Sequence, residues 1–238
     1  MVKDDLLEQA AEIRARRASS EDAQEYVISP PRIEVVEVGI RGISPYVQNR
    51  FSNKAKQMMR DKQASGSRSV KGQKREAKDF KQCYVDAQYF GRCVDDDAES
   101  KPWNGIPAAC FRNAMIRACS LCGFKMTLGK LSIFIIPDGF DIGAERTPLV
   151  RFLKGEPEYV EFAVRNASGV ADLRPMALWS PGWEAKLKIQ YDGDIFSATD
   201  ILNLLARAGM QVGIGEGRPS APKNMGMGHG LFEIIADG

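Results

Sequence analysis

The residues of this sequence that could carry chemistry fall into two features, a cationic stretch and a glycine-rich loop. Residues 50–82 contain 11 Lys and Arg against three acidic residues, which gives +8 in a chain whose total charge is +2. The remainder therefore sums to −6, and such an asymmetry indicates contact with a polyanion. Mixtures of cations and large apolar side chains are typical of proteins that bind single-stranded nucleic acids. Those apolar side chains are Tyr46, Phe51, Met58 and Met59.

The glycine-rich loop holds seven glycines from Gly209 to Gly230. It follows a predicted helix instead of opening one and contains no Gly-Lys-Ser or Gly-Lys-Thr, so it is neither a dinucleotide fingerprint nor a P-loop. Two readings stay open, a structural turn and an anion contact made by backbone N–H groups and fixed cations. The second interpretation predicts that alanine at Gly213, Gly215 or Gly217 removes binding and leaves folding intact. The residues concerned are Gly213, Gly215, Gly217, Arg218, Lys223 and His229.

Other candidate sites are weaker. Cys119 and Cys122 form a single Cys-x-x-Cys pair, which is too few ligands for a structural zinc, so ordinary buried thiols are expected. Asp95 to Asp97 lack spaced partner ligands for a divalent cation. We expect no metal site and no cofactor, and no catalytic set of side chains emerges. Trp179 and Trp183 are expected to be core and hairpin aromatics.

Hydrophobic periodicity predicts the elements that would position these features. Helices are expected over 106–122 and from 198 to Gly209, the second capped by Ser197 and ended by Gly209 in the left-handed conformation. Strands are expected over 33–40, 131–136, 159–165, 173–178, 183–191 and 231–235. With its insertions removed, this order is an α+β, ferredoxin-like β-α-β-β-α-β core. Residues 1–31 are predicted as an N-terminal arm, and residues 32–238 as one domain with the basic insertion 50–82.

Two short patches carry a family resemblance. Gly-Ile-Pro-Ala-Ala-Cys-Phe-Arg-Asn-Ala-Met-Ile-Arg, residues 105–117, resembles the Ile-Pro-Gly-Ser-Ser-Leu-Lys-Gly-Ala-Leu-Arg helix start of the RAMP superfamily of CRISPR effector proteins. The glycine-rich loop before a final strand resembles the loop that defines the superfamily, and the early strand with its long basic insertion is similar to backbone subunits that line up along guide RNA. The ending Gly-Ile-Gly-Glu-Gly-Arg-Pro also resembles uncharacterised proteins of tailed phages and prophages, in which the residue after Glu216 is usually aromatic.

The resemblance implies a non-catalytic subunit that binds a single strand, RNA in preference to single-stranded DNA, and forms a homo-oligomer or filament along it. Other effector subunits are a further class of partner that the resemblance allows. Two alternatives stay open, an endoribonuclease that uses His229 and a phage structural or assembly protein. No apolar leader or span is evident, so a cytoplasmic location without membrane contact is expected. Besides the loop residues named above, the predicted contacts to nucleic acid are Arg50, Lys54, Lys56, Arg60, Lys62, Arg68, Lys71, Lys74, Arg75, Arg112 and Arg117.

Overall fold

The computed structural model describes residues 29–51, 53–64, 78–93, 100–165, 171–221 and 227–235. The chain divides into two units, Met1–Pro31 and Arg32–Gly238, and the elements below belong to the second. Several predictions lie outside the described residues. They concern the arm over 1–28, the side chains of Lys54, Met58 and Lys62, residues Arg68, Lys71, Lys74, Arg75 and Lys223, and Asp95 to Asp97.

The described part of the fold is α+β, as predicted, with a large antiparallel sheet and several helices. The strands are β1 (Ile33–Gly42), β2 (Tyr46–Gln48), β3 (Phe90–Arg92), β4 (Trp103–Pro107), β5 (Ile133–Ile136), β6 (Gly139–Asp141), β7 (Pro148–Lys154), β8 (Pro157–Arg165), β9 (Ala171–Trp179), β10 (Glu184–Asp192) and β11 (Phe232–Ile235). The helices are α1 (Asn53–Ala64), α2 (Phe80–Asp86), α3 (Ala108–Leu121), α4 (Met126–Ser132) and α5 (Ala198–Arg207).

Two sheets organise the chain. The larger runs β11-β1-β10-β7-β4-β3-β6, and β5 also pairs with β10. β1 pairs with β10 from Ile33↔Asp192 to Arg41↔Glu184 and with β11 from Gly39↔Ile235 to Gly42↔Phe232, both antiparallel. The smaller sheet runs β2-β9-β8. β10 alternates in sequence because one of its faces is buried.

The core lies between the large sheet and the helices α3 and α5. Aromatic side chains dominate its centre, where Tyr46 packs within 5.8 Å, centroid to centroid, of Phe152, Trp179 and Trp183. The prediction that Trp179 and Trp183 are core residues is confirmed, because both are fully buried. Tyr46 is only 1% exposed, so the suggestion that its ring stacks on a nucleic-acid base is wrong.

The helix α5 begins as the sequence predicts and ends differently. Ser197 and Asp200 form a capping box, with the Ser197 hydroxyl accepting the Asp200 N–H. The helix does not stop at Gly209, because a π-helical turn, Ala208–Val212, continues it to Gly213, whose φ is 70°. Gly209 is required for another reason. A Cβ there would lie 2.2 Å from the carbonyl oxygen of Phe232, so the glycine lets the turn pack directly on β11.

Two predicted elements need smaller corrections. The strand expected over 131–136 begins only at Ile133, because Leu131 and Ser132 complete α4. The helix expected over 106–122 begins only at Ala108, because Ile106 and Pro107 complete β4, and it ends at Leu121. In the described residues no helix is long and apolar enough to cross a membrane.

Candidate nucleic-acid interface

The glycine-rich loop is fixed to the body of the protein by its own backbone. Ile214 N–H donates to Gly230 O at 3.0 Å, and Glu216 N–H donates to Val47 O at 2.9 Å. Gly213 N–H donates to Ala208 O at 2.9 Å. These three N–H groups are consumed within the fold and cannot cradle an anion.

Gly215 shows why the loop is rich in glycine. Its φ is +75°, and an added Cβ would lie 2.6 Å from both Tyr46 Cε2 and Val47 O. Side chains rarely adopt this conformation, and here there is no room for one. The glycines therefore let the loop lie directly on β2. The loop is therefore a structural turn, and it also forms one wall of a pocket.

That pocket has a volume of about 240 Å³ and three sides. The first side is one face of α3, whose lining positions recur at intervals of three or four and so share one side of the helix. The second is the loop, and the third is the segment around β2 with the Tyr89 ring. The lining residues are Tyr46, Val47, Gln48, Asn49, Tyr89, Pro107, Cys110, Asn113, Ala114, Arg117, Val212, Gly213, Ile214, Gly215, Glu216, Arg218 and Ser220.

Several polar groups of the pocket have no hydrogen-bond or ion-pair partner among the described residues. The Ser220 hydroxyl is buried yet unpartnered. The other such groups are exposed side chains contributed by all three sides of the pocket. They are the side chains of Asn49, Asn113, Arg117 and Glu216. A hydroxyl buried without a partner costs free energy, which marks this pocket as a place for a polar ligand.

Arg218 and Cys110 lie deeper in the same pocket. Arg218 Nη1 donates to Gly215 O at 2.8 Å, which holds the guanidinium against the loop and leaves its other N–H groups available. Burial raises the pKa of the Cys110 thiol to about 11, although the Arg218 charge and the Gly215 N–H both favour the thiolate. The thiol is therefore protonated at neutral pH and makes a poor nucleophile.

Two predicted arginines serve the scaffold. Arg50 binds Asp141 in a bidentate pair, Nη2 to Oδ2 at 2.5 Å and Nη1 to Oδ1 at 3.2 Å, and its guanidinium lies 4.9 Å from the centroid of the Tyr89 ring. Asp141 is fully buried and Arg50 is 12% exposed, so this cation is already neutralised. Arg112 Nε donates to Ile133 O at 2.8 Å and its guanidinium lies over Phe134. Neither side chain lines the pocket.

The described cations of α1 are divided between scaffold and surface. Lys56 binds Glu145 at 2.6 Å, which ties the helix to the loop after β6 and lowers the pKa of the Glu145 carboxyl. Arg60 is exposed and has no hydrogen bond or ion pair with a described residue. Phe51 and Met59 are about half exposed, at 50% and 54%, so these two apolar side chains remain available to a partner.

His229 belongs to the back of the loop and not to the pocket. Its backbone N–H donates to Gly217 O at 3.2 Å. Its ring contacts the Phe162 ring edge-on, with the two centroids 6.0 Å apart. Burial lowers the pKa of the imidazole, while a hydrogen bond to the Glu216 backbone opposes that shift. The ring thus fills space between the loop and β8.

The structure brings together four of the predicted residues, Arg117, Gly213, Gly215 and Arg218. Five other lining residues were not predicted as site residues from the sequence: Asn49, Tyr89, Asn113, Glu216 and Ser220. One signal was present, because Cys110, Asn113 and Arg117 recur at helical spacing and so share one side of α3. Nothing local could have placed Asn49 or Tyr89, since both reach the pocket only through the pairing of β2 and the turn before β3. The chain matches no protein-family model and no curated protein sequence.

Proposed function

We propose that the protein binds single-stranded nucleic acid, RNA in preference to DNA, with the strand passing over the pocket between α3 and the glycine-rich loop. The observation that carries the proposal is the presence of two arginines from different elements in one pocket, Arg117 on α3 and Arg218 on the loop. Two cations beside unpartnered amides suit a phosphodiester backbone with its polar sugars. A pocket of about 240 Å³ is smaller than the roughly 300–1,000 Å³ of sites that enclose drug-sized ligands, so it would hold one nucleotide of a longer strand.

The basic insertion supports the same function. Residues 50–82 carry a net charge of +8, and one of their cations, Arg60, is exposed on α1. The half-exposed Phe51 and Met59 lie in the same segment and could stack on or wedge between bases. On this proposal, the pocket positions one nucleotide and the insertion contacts the strand on either side of it.

A ferredoxin-like, RAMP-like core is part of the proposal. It is supported by the order β1-α3-β5-β10-α5-β11, whose strands lie in the sequence β11-β1-β10-β5 with antiparallel neighbours. The remaining strands would then be insertions, β2 to β4 before α3 and β6 to β9 after β5. We further propose that copies of the chain pack side by side along the strand as a non-catalytic subunit.

Fluorescence anisotropy with a labelled 20-nucleotide RNA tests the binding. Because phosphate contacts release counterions, the affinity should fall steeply between about 50 and 200 mM salt. Arg117→Gln should weaken binding about tenfold and reduce the salt slope by about one. Arg207→Gln is the matched control, since Arg207 is an exposed helical arginine that does not line the pocket. A salt-independent affinity, or equal effects of the two variants, would refute the proposed interface.

A further inference from the structure

We infer that the pocket selects a guanine base, an inference that rests on the proposed function and gives its site a sequence preference. The starting point is Glu216, whose carboxylate lines a pocket that otherwise carries two guanidinium groups. No described residue pairs with this carboxylate. A site for phosphate alone would be weakened by it, because like charges repel at short range. A hydrogen-bond donor from the ligand, placed against this carboxylate, would offset the repulsion.

Guanine is the base whose hydrogen-bonding groups match this arrangement best. Its N1–H and N2 amino group are adjacent donors that suit the two oxygens of one carboxylate. Its O6 and N7 are adjacent acceptors that suit the fork of one arginine. Adenine and uracil cannot offer two adjacent donors, and cytosine offers one amino group beside an acceptor. Only guanine satisfies a carboxylate and a guanidinium with two bonds each.

The two side chains stand on different walls, as this recognition requires. Arg117 belongs to α3 and Glu216 to the loop, so a base inserted between them could present a different edge to each. Arg218 is held by Gly215 O and is left to attract the phosphate. The volume of about 240 Å³ suits one base, and the unpartnered Ser220 hydroxyl offers a further hydrogen bond within the pocket.

The test compares 12-nucleotide RNAs made of uridine, with the central position occupied by guanine, adenine, cytosine or uridine. Anisotropy should show the guanine strand binding about tenfold more tightly than the all-uridine strand, which is within the discrimination of one good bidentate contact. Glu216→Gln should abolish that advantage and raise the affinity for the all-uridine strand slightly, because it removes a negative charge that repels the phosphates. Glu233→Gln, an exposed carboxylate on β11 outside the pocket, is the matched control.

A second variant separates recognition from charge. Arg117→Lys keeps the cation and loses the planar fork, so it should lose the guanine advantage while weakening the binding of all-uridine RNA less than Arg117→Gln does. Binding without a preference for guanine, an equal preference for cytosine, or a guanine advantage that survives Glu216→Gln would each overturn the inference while leaving the proposed function in place. Failure of all four strands to bind would overturn the proposed function itself.

Discussion

Alanine at Gly215 should destabilise the protein far more than alanine at a glycine of equal backbone conformation in open space. Gly123 provides that comparison, because its φ is +71° against +75° for Gly215 and an added Cβ would meet nothing within 4 Å. At Gly123 the cost is the left-handed conformation alone, about 1 kcal/mol. The structure therefore supplies an internal standard for the strain that any side chain would carry in this conformation.

At Gly215 the same strain is joined by two steric conflicts. The added Cβ would lie 2.6 Å from Tyr46 Cε2, and the Tyr46 ring is held by Phe152 and Trp179 and cannot turn away. It would also lie 2.6 Å from Val47 O, which accepts the Glu216 N–H. Overpacking costs about 1–3 kcal/mol and the weakened hydrogen bond about 1 kcal/mol. The total loss in the free energy of unfolding is about 4 kcal/mol.

Urea denaturation followed by tryptophan fluorescence measures this difference. Trp179 and Trp183 are buried beside Tyr46 and report on the same region. With a slope of about 3 kcal/mol per molar urea, the midpoint should fall by about 1 M for Gly215→Ala and about 0.3 M for Gly123→Ala. Equal midpoints would refute the packing described for the loop. The larger loss replaces the expectation that alanine at the loop glycines removes binding and spares folding.

Three further predictions concern buried and titratable groups. Asp141→Asn should lower the free energy of unfolding by about 3 kcal/mol, because it leaves the largely buried Arg50 cation without its partner; a loss below 1 kcal/mol in urea titration would contradict this. The pKa of His229 is lowered by burial, so its contribution to stability is complete above the unfolded value of about 6.5 and is lost as the pH falls below it. The melting temperature should fall from pH 7 to pH 5.5 less steeply in His229→Asn than in the wild type, and parallel curves would contradict the shift. Dithionitrobenzoate at pH 8 should modify the exposed Cys122 quickly and Cys110 slowly, because burial raises the pKa of Cys110 to about 11; peptide mass spectrometry showing equal rates would contradict the placement of Cys110 in the pocket.

Local pattern was enough to predict the elements whose period is imposed by burial on one face. The helix expected over 106–122 and the strands β1, β8, β9, β10 and β11 all occur. The helix repeats at three and four, β8 and β10 alternate, and β1 is rich in β-branched residues. The cap at Ser197 was likewise readable, since it depends on residues three positions apart. These features need no knowledge of what packs against them.

Long-range contacts decided what local pattern could not predict. The end of α5 is an example, because Gly209 looked like a helix stop and is instead the point where the helix approaches Phe232, twenty-three positions away. Arg50 is another, since its chemistry is set by Asp141 on β6. In both cases the role of the residue is set by a partner that is distant in sequence.

The sequence by itself determined that this chain is an α+β protein with a concentrated positive charge and a glycine-rich loop. Composition and short-range periodicity suffice for these conclusions, because charge, turn geometry and amphipathicity are local properties. The tertiary structure alone decided that Asn49, Arg117 and Glu216 border one pocket. A pocket is defined by the distances between residues far apart in the chain, and those distances exist only after the strands have paired and α3 has packed beside the loop.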